Sequence, residues 1–233
     1  MKGKIVSVSL GPGEPELITL KALKALQEAD IIYCPGTQTK SRSRDILQAL
    51  PIKMERVRLF HVPMSKDRTL ANQTYDTICT EIASLVAMDK NVAITAEGDS
   101  GFYSSVNYMF DKLASMGLPI TTVAGVPAFI AAGAISGLHI VKQEEKLVVL
   151  PGIVTAEELT SLLTNGHVAV IMKLSQCTDE IHRFMQANPR HEFHYYENVG
   201  TINELHSTNY KDIIQKDYPY FSLMIIRPGK QLA

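Results

Sequence analysis

The sequence predicts an α/β protein of two α/β domains, the first on a mainly parallel sheet and the second on a mixed sheet. Three observations carry this. Short apolar β runs alternate with helical stretches up to Gly137, the doubly wound pattern. Glycine-rich turns fall where those strands end, on the edge at which open parallel sheets bind ligands. Beyond Gly137 the texture changes through the polar joint Lys142-Gln143-Glu144-Glu145-Lys146. The expected division is therefore residues 1–143 and 144–233.

In the first part, Ile5–Leu10, Asp30–Tyr33, Val57–Val62, Val92–Thr95 and Ile120–Val123 read as strands. Thr19–Glu28, Asp45–Leu50, Leu70–Ala87, Val106–Ser115 and Pro127–Ile135 read as helices. In the second part the expected strands lie near Leu147–Leu150, Val168–Met172, Glu192–Tyr195 and Phe221–Ile226. Ala156–Leu163, Thr178–Gln186 and Tyr210–Gln215 are expected to be helical.

Composition narrows the class. A chain of 233 residues with 45% hydrophobic and 20% charged residues is an ordinary globular protein with ample length for a core. Its formal net charge of −1 argues against nucleic acid as the main partner, which usually needs a basic face. No apolar run approaches the roughly 20 residues of a membrane span, so no membrane partner is expected. Cys34, Cys79 and Cys177 are too scattered for a metal site, and none is assigned; three unpaired-looking thiols suit a reducing cytoplasm.

The candidate chemistry lies in the strand-end loops. Gly11-Pro12-Gly13 follows the first strand, where glycine permits close approach and positive φ while proline stiffens the loop. Thr95-Ala96-Glu97-Gly98-Asp99-Ser100-Gly101-Phe102-Tyr103-Ser104-Ser105 follows the fourth. Asp99 there is placed to accept hydrogen bonds from ligand hydroxyl or amino groups, or from the loop's own backbone. A weaker third loop is Val123-Ala124-Gly125-Val126-Pro127-Ala128. The dinucleotide fingerprint is absent because no third glycine follows Gly13 at its spacing, and there is no Gly-Lys-Ser/Thr phosphate loop. Basic runs at Lys40-Ser41-Arg42-Ser43-Arg44 and Lys66-Asp67-Arg68 are suited to carboxylates or simply to a solvated surface.

Leu10-Gly11-Pro12-Gly13-Glu14-Pro15-Glu16-Leu17-Ile18-Thr19-Leu20-Lys21-Ala22, then Ala29-Asp30-Ile31-Ile32, then Gly98-Asp99-Ser100 with Tyr103, closely resembles the tetrapyrrole methylase family. Ser41, Arg44 and Ile46, with Val62-Pro63-Met64, look most like the branch that methylates C20 of precorrin-2 or its cobalt-containing counterpart. The resemblance implies an active-site cleft between the two domains with S-adenosylmethionine as cofactor in it, a homodimer, and cofactor contacts at Gly11, Pro12, Gly13, Gly98, Asp99, Tyr103, Ser104, Ala128 and Met172. The acidic side chains of such a substrate would fall to Arg42, Arg44, Lys66 and Arg68. The ring carbon is itself the nucleophile, so a base for its proton is the open question, with His61 and Tyr103 as weak candidates. Three positions depart from the family pattern: Ser9 stands where glycine is usual, Ser100 where proline is usual, and Ala124 where proline precedes Gly125. Alternatives are another ring position, a protein acceptor of the diphthamide type, and a non-catalytic cofactor-binding module.

Overall fold

Ile5–Ser9, the first strand (β1), reads Ile-Val-Ser-Val-Ser and is an interior strand of a parallel sheet. The computed structural model describes residues 3–37, 39–62 and 69–229. After β1 come α1 (Leu20–Glu28), β2 (Ile31–Pro35), α2 (Arg42–Gln48), β3 (Val57–Phe60), α3 (Thr69–Ala87), β4 (Val92–Ala96), α4 (Asn107–Ser115) and β5 (Ile120–Val123). The strand order is β3-β2-β4-β1-β5, and every pairing is parallel. Because β1 pairs Ile5–Ser9 with Val92–Ala96 and Ile5–Val8 with Ile120–Val123, the carboxyl ends of β4, β1 and β5 lie side by side.

Helices cover both faces, as buried parallel strands require. β4 sends Val92, Ile94 and Ala96 into the layer with Ile78 and Ile82 of α3 and Met109 of α4. Ala93, with Val8 and Ile32, faces Ala22 and Leu26 of α1 and Ile46 of α2. The sequence places the start of α2 at Asp45, whereas the structure starts it at Arg42 because Ser41 is its cap. The Ser41 hydroxyl accepts the Arg44 N–H (3.1 Å) and donates to the Pro35 carbonyl (2.7 Å). Ser41→Ala is expected to lower stability by about 1–2 kcal/mol, the usual worth of such a cap. Urea unfolding checks this, and a parent-like midpoint would remove the cap's importance.

The chain divides into Met1–Pro127 and Ala128–Ala233. The second unit holds α5 (Ala128–Ser136), β6 (Lys146–Leu150), α6 (Ala156–Thr164), β7 (His167–Met172), α7 (Thr178–Ala187), β8 (Glu192–Glu197), β9 (Leu205–Ser207), α8 (Tyr210–Ile213) and β10 (Ser222–Arg227). Its sheet runs β6-β7-β10-β8-β9, parallel between β6 and β7 and antiparallel elsewhere. The mixed sheet agrees with expectation. The three-residue edge strand β9 was not foreseen, since Leu-His-Ser carries no alternating apolar signal.

The division falls before α5, not at the polar joint after Gly137. The reason is that α5 and the joint are tied to the second sheet. Ser136 Oγ lies 2.7 Å from Tyr196 Oη. Arg227, only 7% exposed, donates to the carbonyls of His139 (3.0 Å) and Ile140 (2.5 Å) and pairs with Glu145 at 2.6 Å. Among the described residues no helix is long and apolar enough to cross a membrane.

Candidate functional site

The three loops beyond β1, β4 and β5 are cross-braced in the first unit. Past the end of the β1–β4 ladder, Gly11 and Gly98 exchange backbone hydrogen bonds: the Gly98 N–H donates to the Gly11 carbonyl at 2.7 Å, and the Gly11 N–H to the Gly98 carbonyl at 3.1 Å. Glycine is favoured at Gly11 and Gly98 by their φ of +78° and +65°. Ser9 Oγ accepts the Ser100 N–H at 2.9 Å and lies 3.2 Å from Ser100 Oγ.

Asp99 ties the second loop to the third. Its Oδ1 accepts the Gly101 N–H (2.8 Å) and its Oδ2 the Gly125 N–H (2.7 Å). Of the two readings the sequence allowed for Asp99, the structure displays the one in which it organises its own loops. A carboxylate has about four lone-pair sites, so capacity for a ligand donor remains. Gly125 is fixed sterically, because a Cβ there would lie 2.5 Å from the Gly98 carbonyl oxygen and 2.5 Å from Ser9 Cβ. Thr19, which caps α1 by accepting the Ala22 N–H, also donates to the Ala124 carbonyl at 3.4 Å. Each loop is thus bonded to both others.

Within this rim Gly11 and Pro12 are buried, and Gly13, Gly98, Asp99 and Ser104 are half-buried. Nothing approaches within 4 Å of where a Cβ of Gly98 would stand, so the rim has open space at that point. Tyr103 is exposed, held at φ +51° and packed edge-on against Phe102 at 4.7 Å. A non-glycine residue at that φ is uncommon, and such strain gathers at functional sites.

Arg42 and Arg44 are half-buried in the first turn of α2, not in a solvated loop. Glu97 stands at the same helix end, accepting a hydrogen bond from Ser43 Oγ at 3.4 Å. Burial pushes the Glu97 carboxyl upward, although Arg42 and Ser43 oppose this; burial pushes the Arg42 guanidinium downward, opposed by Glu97. The Arg42 charge therefore lies within electrostatic reach of a carboxylate of the chain itself. His61 is exposed just beyond β3. Lys66 and Arg68 lie outside the described residues.

In the second unit Ala128 is the first residue of α5 and Met172 the last of β7. Sequence reading missed Lys173. It follows Met172 in the left-handed conformation at φ +60°, with its N–H bonded to the Ser222 carbonyl and its ammonium 5.9 Å above the Tyr220 ring. Burial lowers its pKa. Also missed were Ser9, Thr19 and Gly125 as braces. Of these only Gly125 carries a local signal, a small residue just past a strand end.

Known proteins resemble the chain along most of its length. Residues 4–211 match the family of tetrapyrrole (corrin/porphyrin) methylases. A precorrin-2 C(20)-methyltransferase of Sinorhizobium is 30% identical, over 97% of this chain and 96% of that protein. A cobalt-precorrin-2 C(20)-methyltransferase of Salmonella typhimurium is 26% identical, over 75% of this chain and 74% of its own length. Among solved structures, the uroporphyrin-III C-methyltransferase of Thermus thermophilus, complexed with S-adenosylhomocysteine, superposes with a TM-score of 0.69. It is 18% identical, and the match covers 97% of each chain, a likeness of fold.

Proposed function

Because this chain belongs to the tetrapyrrole (corrin/porphyrin) methylase family, we propose that it methylates C20 of precorrin-2 or its cobalt-containing counterpart, with S-adenosylmethionine as methyl donor. The observation that carries the reading is the nearly full-length likeness to a C20 enzyme, which spans both units. The braced rim supports it. Open space beside Gly98, the remaining lone pairs of Asp99 and the exposed Tyr103 fit a polar cofactor bearing amino and hydroxyl groups.

When bound, S-adenosylmethionine supplies an already activated methyl, so the chain needs no covalent nucleophile. Its own residues have to hold both partners in line, and a rim fixed before binding does this at low entropic cost. The cofactor contacts we assign are Gly11, Pro12, Gly13, Gly98, Asp99, Tyr103 and Ser104 in the first unit, and Ala128 and Met172 in the second, as the family pattern implies. Arg44, with Arg42 partly offset by Glu97, meets the carboxylates of the ring. The exposed His61 and Tyr103 are the candidates for accepting the C20 proton. The reading extends to a homodimer, which the family pattern implies, and to the cytoplasm, which the three buried thiols suit.

Incubating the protein with S-adenosylmethionine and either tetrapyrrole, and reading product mass, tests the proposal. One added methyl on one or both rings is expected. Cofactor binding with both rings unmethylated would redirect the search to another acceptor.

A further inference from the structure

Ser9 and Ser100 are 0% and 1% exposed, and they are joined across 91 positions of sequence. The register of β1 on β4 ends at the pair Ser9 and Ala96, and past it the loop after β4 needs a brace of its own. Ser9 supplies one with its hydroxyl, which accepts the Ser100 N–H at 2.9 Å and donates to Ser100 Oγ at 3.2 Å. Its Cβ meanwhile occupies the space that a side chain at Gly125 would need. One residue therefore touches the loops after β4 and β5 at once. Burial in β1 does not by itself give a serine such partners: Ser7, on the same face and also 0% exposed, leaves its hydroxyl without a hydrogen bond among the described residues.

We propose that Ser9 and Ser100 act as one positioning pair, which fixes the rim and sets how tightly the chain holds S-adenosylmethionine without touching it. The inference rests on the proposed function for its ligand, but on geometry alone for the brace. Deleting the acceptor leaves a buried N–H unpaired. Deleting the N–H leaves a buried hydroxyl without its donor. Deleting both leaves neither group orphaned, so the two losses must be coupled.

Calorimetric titration with S-adenosylmethionine, together with amide exchange over residues 97–101, tests this. Ser9→Ala and Ser100→Pro are each expected to weaken binding about tenfold, equivalent to about 1.4 kcal/mol and within the roughly 1–3 kcal/mol cost of an orphaned buried group. Both are expected to accelerate exchange in the loop. The double variant Ser9→Ala/Ser100→Pro should return to within about threefold of the parent, with kcat following the same order, and Ser7→Ala should be unchanged. Parent-like affinity and exchange in Ser9→Ala would overturn the proposal, as would a double variant that loses the product of the two single losses. If Ser9→Ala does not fold, Ser100→Ala removes only the hydroxyl pair and is expected to weaken binding about threefold; no change there also overturns it. A parent that binds no S-adenosylmethionine would contradict the functional reading instead, while exchange at the Ser100 amide still reports on the brace.

Discussion

Asp99→Ala is expected to lower kcat/KM for S-adenosylmethionine at least about 100-fold while the second unit stays folded. Both Asp99 oxygens are engaged, one by the Gly101 N–H and one by the Gly125 N–H. Hydrogen bonds to a charged acceptor contribute about 1.5–3 kcal/mol each. Their loss releases the loop after β4 from the loop after β5, and it also removes a carboxylate proposed to face the cofactor. Asp99→Asn should lie close to alanine, because the amide nitrogen turns a donor toward one of two N–H groups that each need an acceptor. Initial rates at varied cofactor, alongside thermal unfolding, separate the lost site from a lost fold. An Asp99→Ala enzyme within threefold of the parent would show that the tie is dispensable.

Arg227→Ala is expected to give the largest loss of stability, about 2–3 kcal/mol. The guanidinium is buried at the end of β10 and holds the carbonyls of His139 and Ile140 together with Glu145; Glu192 lies farther away, at 3.8 Å. Breaking a buried pair costs about 3–5 kcal/mol, but the carboxylates of Glu145 and Glu192 are part-exposed and water screens them, which lowers the figure. Arg227→Lys should recover less than half, since an ammonium lacks the planar fork that serves two carbonyls and a carboxylate.

The effect should depend on pH. Burial pushes the Glu145 carboxyl up, but the Lys142 N–H and Arg227 outweigh it and hold the group below its ordinary 4.5. A carboxyl depressed in the folded state stabilises above its unfolded value, and that stability disappears as pH falls through the folded one. The gap between Arg227→Ala and parent should therefore narrow as pH drops below 4.5. Urea unfolding across that range reads it, and a constant gap would place the stabilisation in the two carbonyl bonds alone.

Much of the first unit was legible because its signals are local. Alternating apolar runs located all five strands, and Ile120–Val123 agrees at both ends with β5. Glycine-rich strand ends located the loops that meet in the rim. Less local features were not legible. Ser9 and Ser100 read only as departures from a family pattern, since a bond across 91 positions leaves no mark in a sequence window. The start of α2 was placed late because Arg42 and Arg44 look like surface charge until Ser41 is seen to cap them. The division between units was misplaced because Arg227, far along the chain, decides to which sheet the joint after α5 belongs. Lys173 gave no signal, since neither charge nor spacing marks a left-handed residue.

The central claim is the carbon that receives the methyl. Supplying S-adenosylmethionine with an isotopically labelled methyl, together with precorrin-2 or its cobalt-containing counterpart, and locating the label by NMR tests it most directly. A label bonded to C20 is the result predicted here. A label on any other ring carbon, or rings left unlabelled by an enzyme that binds the cofactor, would contradict it.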